Sequence, residues 1–224
     1  MTRVGVVLFP GSNCEQDALE AVRFLGGDAD VLWHGDRTVG DVDAVIVPGG
    51  FAHGDYLRCG AIAARSPVMG EIARQAARGV NVLGVCNGFQ ILTEAGLLPG
   101  ALQKNRGLSF LCTTVELRVE STDSVLTSEA TKGAVLRIPI NHFEGNYTCS
   151  PDTLAALRAE DRIVLRYVVN PNGSVDDIAG ICNEGRNVVG LMPHPERAVH
   201  AILGSTDGVP LLQSLLKHHR RAAA

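Results

Sequence analysis

The sequence predicts an α/β protein: a mostly parallel sheet with helices on both faces, elaborated by extra strands in its second half. Three observations lead there. Short apolar runs alternate with helix-spaced segments through the first half, the pattern of strand–helix–strand units. The 224 residues are 46% hydrophobic but only 4% aromatic, giving the Val/Leu/Ala/Ile interior that parallel strands covered on both faces require. Beyond about residue 111 the apolar runs become strand-like with turn chemistry between them. No Pro/Gly/Ser-rich linker divides the halves, so residues 1–224 read as a single domain.

Residues 4–9 read as a buried first strand. Ser12, Asn13, Cys14 and Glu15 then have the form of a capping box, and Ala18, Ala21, Val22 and Leu25 recur at helical spacing until Gly26 and Gly27 end the helix. Residues 29–34 and 44–47 are the second and third strands. Ile62, Met69, Ile72, Ala73 and Ala76 mark a helical stretch with a break at Pro67, and residues 80–85 form a fourth strand. Residues 113–119, 135–138 and 163–169 are the added strands, and Asn170, Pro171, Asn172, Gly173 and Ser174 make a turn. Residues 188–192 return as a strand, and Leu211, Leu212, Leu215 and Leu216 place a C-terminal helix on the sheet. This order is the flavodoxin-like form of the class, which binds ligands at the carboxyl ends of its strands.

Charge and composition exclude several function classes. A net charge of -4 gives no electrostatic basis for nucleic-acid binding. No apolar run reaches the roughly 18 residues of a membrane span, and the N-terminal residues enter a strand with no apolar leader, so a soluble cytoplasmic protein is expected. Lys217, His218, His219, Arg220 and Arg221 read as cations closing a helix. The six cysteines, at 14, 59, 86, 112, 149 and 182, form no C-x-x-C pair; most read as small buried hydrophobes, with neither disulfides nor a metal expected.

The chemistry centres on Gly84, Val85, Cys86, Asn87 and Gly88, which follow the fourth strand and precede a helical segment. This is the thiol form of the G-x-S-x-G elbow: glycines permit a sharp strand-to-helix turn that lifts the central side chain clear. A thiol at a helix N-terminus is favoured as thiolate by the partial positive charge there. The second motif is Pro193, His194, Pro195 and Glu196, at the end of the strand at 188–192. Prolines favour an extended chain, in which the side chains at 194 and 196 face the same way. Glu196 then orients His194, and His194 serves Cys86 as base. Each motif alone fits a plain turn or surface loop, but placed together at one edge of a sheet they form a triad. For the oxyanion, the candidate donors are the amide of Asn87 and that of Gly50, which with Pro48 and Gly49 ends the third strand.

These residues, in this order, resemble the class I (triad) glutamine amidotransferases: Pro48-Gly49-Gly50, Gly84-x-Cys86-x-Gly88-x-Gln90 and His194-Pro195-Glu196. Gly11 to Cys14, Phe51, Gly54 to Arg58, Asn172 to Ser174 and Met192 to Arg197 extend the resemblance nearly end to end, toward a purine-biosynthetic branch whose glutaminase is a separate chain. The resemblance implies that Cys86 attacks the side-chain amide of L-glutamine, forms a γ-glutamyl thioester and releases ammonia. It also implies that Gln90 helps hold the substrate. No cofactor is implied in this chain, which has no Walker-type phosphate loop. ATP and Mg²⁺ would belong to a partner synthetase subunit converting formylglycinamide ribonucleotide to formylglycinamidine ribonucleotide, with a small third subunit bridging the two. Where the family commonly has His-Gly-Glu-Gly, this chain has His142-Phe143-Glu144-Gly145, so residues 141–147 are read as a partner-contact or gating segment. His142 and Glu144 are an alternative base and orienter by residue type. Two competing readings are an amidotransferase or γ-glutamyl hydrolase of another pathway, and a non-catalytic redox sensor or scaffold of the same fold. The last has no need of a histidine and a glutamate behind the thiol.

Overall fold

Helix α1 (Glu15–Phe24) joins strands β1 (Arg3–Leu8) and β2 (Asp28–Trp33), β3 (Ala44–Val47) follows β2 directly, and helix α2 (Pro67–Ala77) leads to β4 (Asn81–Val85) and helix α3 (Asn87–Glu94). The second half contributes β5 (Ala101–Gln103), β6 (Leu111–Val119), β7 (Val135–His142), β8 (Asn146–Thr148), α4 (Pro151–Ala159), β9 (Ile163–Tyr167), β10 (Ile178–Cys182), β11 (Val188–Leu191) and α5 (Val209–Lys217). This computed structural model describes residues 1–217; beyond Lys217, the basic cluster of the sequence lies outside the described residues.

Nine strands form one sheet in the order β2-β1-β3-β4-β11-β10-β9-β6-β7, and β5 and β8 pair as a separate ribbon. From β2 to β11 every pairing is parallel. From β11 through β10, β9 and β6 to β7 every pairing is antiparallel. The residues explain the division. β3 and β4 are buried at every position, as strands covered on both faces must be, whereas β6 alternates buried and exposed residues along its C-terminal half. Leu83 and Val85 of β4 share a pocket wall with Ala18 of α1 and Leu212 of α5, while a Cβ at Gly84 would point at Leu92 of α3. Successive residues of β4 therefore serve helices on opposite faces. The α/β, flavodoxin-like parallel half with added strands is the expected fold class.

Local details differ from expectation for identifiable reasons. The capping box does not form: the N-cap of α1 is Cys14, with no side-chain cap bond, and Ser12 Oγ instead accepts from Phe9 N at 3.1 Å. Pro67 does not interrupt a helix but begins one, at the N-terminal position where its missing N–H costs nothing. β7 runs on to His142, and β9 stops at Tyr167 rather than at 169. Of the six cysteines, only Cys14, Cys86 and Cys182 are buried, and Cys112 is exposed on β6.

Candidate active site

Cys86 stands between the end of β4 and the start of α3 with φ 52 and ψ -107, a left-handed-side conformation that costs a non-glycine residue of order 1–3 kcal/mol. The strain falls on the cysteine itself. Gly84 and Gly88 are absent from the positive-φ residues; they are needed for space. A Cβ at Gly88 would collide with the carbonyl oxygen of Val47 in β3, and one at Gly84 would lie 2.7 Å from the Gly88 carbonyl oxygen. Packing α3 this tightly onto β3 and β4 fixes where the thiol points. We expect Gly88→Ala to lower stability by about 1–3 kcal/mol, read as a denaturant midpoint with unchanged slope, and to displace Cys86. Wild-type stability and activity in that variant would refute the close approach.

The parallel pairing of β11 with β4 sets Leu191 beside Val85, and Cys86 N donates to Leu191 O at 2.8 Å. The chain leaving β11 therefore arrives at the nucleophile elbow. His194 N donates to Pro139 O of β7 at 2.9 Å, tethering the segment to the antiparallel half. Pro195 opens a 3-10 turn, Pro195–Arg197, so the His194–Glu196 contact is made across a tight turn rather than along an extended chain. His194 Nδ1 and Glu196 Oε1 lie 2.6 Å apart, and both residues are buried. His194 Nε2 has no hydrogen-bond partner among the described residues. Burial by itself would lower the His194 pKa, but the Glu196 carboxylate, then the Cys86 and Cys14 sulfurs, raise it well above the ordinary value. The ring is thus ready to hold a proton beside Cys86.

Gly49 is the point where these parts meet. A Cβ there would lie 2.8 Å from His194 Cε1, 3.1 Å from Cys14 Sγ and 3.4 Å from Cys86 Cβ, so only glycine lets the chain after β3 come this close to the Cys14 sulfur, the imidazole and Cys86. Gly50, with φ 142, turns the chain away and lines the same pocket as Cys86. Asn87 is the first residue of α3, where a backbone N–H has no carbonyl of its own helix to bond. Gly50 thus shares the pocket with the thiol, and Asn87 follows it in the chain. The side chain of Asn87 braces the pocket: its Oδ1 accepts from Ala52 N at 3.1 Å and its Nδ2 donates to Gln90 Oε1 at 2.7 Å.

The pocket in front of Cys86 has a volume of about 280 Å³, with Phe51, Asp55, Gln90, Asn141 and Glu144 among its walls. Gln90 is in place, but its amide is committed to protein partners, accepting from Asn87 and donating from Nε2 to Glu144 O at 2.6 Å. It shapes the pocket by tying α3 to residues 141–147. That segment is the pocket wall: Cys86 Sγ points at Asn141 O, 3.7 Å away. His142 and Glu144 do not form a second dyad. His142 Nδ1 bonds Asn105 Oδ1 at 3.1 Å, and burial, with the nearby His194 charge, lowers its pKa to about 4, keeping it neutral.

Sequence reasoning missed Asp55 and Cys59 in this wall. Burial raises both their pKa values, with Cys59 bonded to Asp55 and to Glu144, and with the Asp55 charge the largest contribution after burial for Cys59. It also assigned no role to Cys14, although the sequence had set it at a helix start. A larger groove of about 650 Å³ runs between α1 and residues 196–203, reaching Glu196 from behind. It lacks a nucleophile, so the chemistry belongs to the smaller pocket. Taken together, the geometry can perform acyl transfer from an amide: a thiol at a helix N-terminus, a buried imidazole oriented by a carboxylate, and two candidate backbone donors, the amides of Asn87 and Gly50.

Comparison with known proteins places the chain in a family. The model of the CobB/CobQ-like glutamine amidotransferase domain matches residues 1–208. The phosphoribosylformylglycinamidine synthase subunit PurQ of Rubrobacter xylanophilus is 58% identical over 214 residues, 96% of this chain and 97% of the relative. The protein of the same description from Cereibacter sphaeroides is 55% identical over 215 residues, with 96% and 97% covered. A chain in the structure of PurLQS from Thermotoga maritima superposes with a TM-score of 0.89 at 46% identity, covering 96% of this chain and 97% of that one.

Proposed function

We infer the function from the premise that this chain belongs to the CobB/CobQ-like glutamine amidotransferase family: it is the glutaminase subunit of a phosphoribosylformylglycinamidine synthase, an enzyme of purine biosynthesis. The observation that carries the chemistry is the strained Cys86 elbow with the His194–Glu196 pair, 2.6 Å apart, beside it. The near-complete match to relatives of that description favours this pathway over another amidotransferase or a γ-glutamyl hydrolase.

Cys86 Sγ attacks the side-chain amide carbon of L-glutamine. The carbonyl oxygen becomes an oxyanion held by the amides of Asn87 and Gly50. His194, protonated and oriented by Glu196, gives its proton to the departing nitrogen; the C–N bond breaks, ammonia leaves and a γ-glutamyl thioester remains. Water then enters, His194 takes its proton, and the resulting hydroxide attacks the thioester carbon. Collapse returns the Cys86 thiolate and frees glutamate. Gln90 acts here by fixing the pocket wall.

The ammonia goes to a separate synthetase subunit, which binds ATP and Mg²⁺ and converts formylglycinamide ribonucleotide to formylglycinamidine ribonucleotide; a small third subunit bridges the two. Support comes from the description of the relatives as one subunit of a synthase and from the similar chain in the structure of PurLQS. Residues 1–224 act as one domain in a cytoplasmic complex; among the described residues no helix is long and apolar enough to cross a membrane.

Reconstitution tests the reading. The isolated chain is expected to hydrolyse glutamine hardly at all, and addition of the synthetase and bridging subunits with ATP and formylglycinamide ribonucleotide to switch hydrolysis on. Release of glutamate in step with formylglycinamidine ribonucleotide is the supporting result. Full glutaminase activity of the isolated chain would contradict the coupling, and no glutamine use in the complex would contradict the function.

A further inference from the structure

Cys86 is not the only thiol at a helix N-terminus facing His194. Cys14, the N-cap of α1, is equally buried, and its Sγ, a His194 ring nitrogen and a Glu196 carboxylate oxygen all lie within 4.8 Å of one another. The sulfur is held from behind. Arg197 Nη2 donates to Cys14 Sγ at 3.2 Å, and the same guanidinium donates from Nε to Asp17 Oδ2 at 2.8 Å, one turn into α1. Arg197 closes the turn that carries His194 and Glu196, so the clamp joins the start of α1 to the dyad. Three such ligand atoms have a spacing that a cation could bridge, but the guanidinium already occupies the sulfur and opposes a second positive charge there.

We propose that Cys14 is a positioning residue for the glutaminase reaction: its sulfur, clamped by Arg197 and Asp17, forms one side of the slot that holds the His194 ring with Nδ1 on Glu196 and Nε2 toward Cys86. The ring needs such a support. Glu196 fixes one nitrogen but leaves rotation about that hydrogen bond, and Gly49 supplies backbone but no side chain on the Cε1 edge. A small, polarizable group that accepts a charged hydrogen bond and also packs against an imidazole fits this place; a methyl does only the packing. Cys14 touches neither substrate nor the reacting atoms in this scheme, and acts through His194.

The proposal rests on the glutaminase reading, and the test separates the two. In the assembled complex, Cys14→Ala should lower glutamine-dependent kcat about 10- to 100-fold, the loss expected for a misplaced catalytic group, with the KM for glutamine held within about twofold. Cys14→Ser, whose hydroxyl still accepts from Arg197, should recover most of that loss. Turnover driven by added ammonium salt should stay at the wild-type rate, showing that the complex is assembled. Wild-type kcat in Cys14→Ala overturns the proposal. So does a serine variant no better than alanine, or a loss shared by KM and ammonium-driven turnover. If Cys14→Ala does not fold, Arg197→Lys decides: it keeps the charge but not the two-pronged clamp, and a wild-type kcat there overturns the proposal, while a lowered kcat at unchanged KM supports it. Cys86→Ala is the reference: glutamine use by that variant would defeat the glutaminase reading itself, whatever Cys14 does.

Discussion

Cys86→Ala in the assembled complex abolishes product formation from glutamine, by at least about 10⁴-fold, while leaving product formation from ammonium salts unchanged. The size follows from removing the nucleophile of a covalent mechanism, where no neighbouring group can take its place. In this pocket His142 is neutral and bonded to Asn105, and burial and nearby carboxylates raise the Cys59 pKa, so neither offers a substitute. The retained ammonium-driven rate follows from the division of labour, since the ligase chemistry lies in another subunit. Comparing initial rates with the two nitrogen sources checks both halves. A complex that is fully assembled but has lost both activities would show that Cys86 serves the synthetase as well.

Glu196→Gln is the second large effect, about 10³- to 10⁴-fold in glutamine-dependent kcat, by analogy with removal of the orienting carboxylate in other triads. Glutamine keeps the shape but removes the charge that most raises the His194 pKa against burial. The direction with pH follows. His194 must be protonated to release ammonia, and its raised pKa keeps the proton on the ring to higher pH. Without the carboxylate the proton is lost earlier, so the alkaline fall in activity moves to lower pH. Cys86 and Cys14, which also raise the pKa of the ring, remain and limit the shift; His142, neutral beside it, adds nothing. A pH profile of glutamine-dependent kcat checks this; an alkaline limb at the wild-type position would mean that Glu196 is not what holds the proton there.

The site was largely legible in the sequence because its key residues are tied to backbone events that leave local marks. β3 and β4 are continuous apolar runs, and the close approach of α3 demands glycines on both sides of Cys86. Less legible were features decided by distant packing. β10 has Gly180 at its centre and a register shift around it, so its apolar run is interrupted. β5 and β8 are three residues each and exist only by pairing with one another. α4 is different: Ser150 caps it by accepting from Thr153 N and Pro151 begins it, a start signal present in the sequence but unread. The role of residues 141–147 as pocket wall was hidden because the contacts to Cys86 and Gln90 use backbone carbonyls, which carry no residue identity. Cys14 was hidden differently: nothing nearby in sequence tells that Gly49, Arg197 and His194 converge on its sulfur.

The position of β11 carries a consequence for how the molecule comes into being. It is the last strand among the described residues, yet it lies in the middle of the sheet, between β4 and β10, and it delivers His194. During synthesis the strands before it can pair, but the two halves of the sheet cannot join and His194 is not yet beside Cys86. Such long-range closure is the slow step expected of a high-contact-order topology. Insertion of β11 thus completes the sheet and brings His194 to Cys86 in one event.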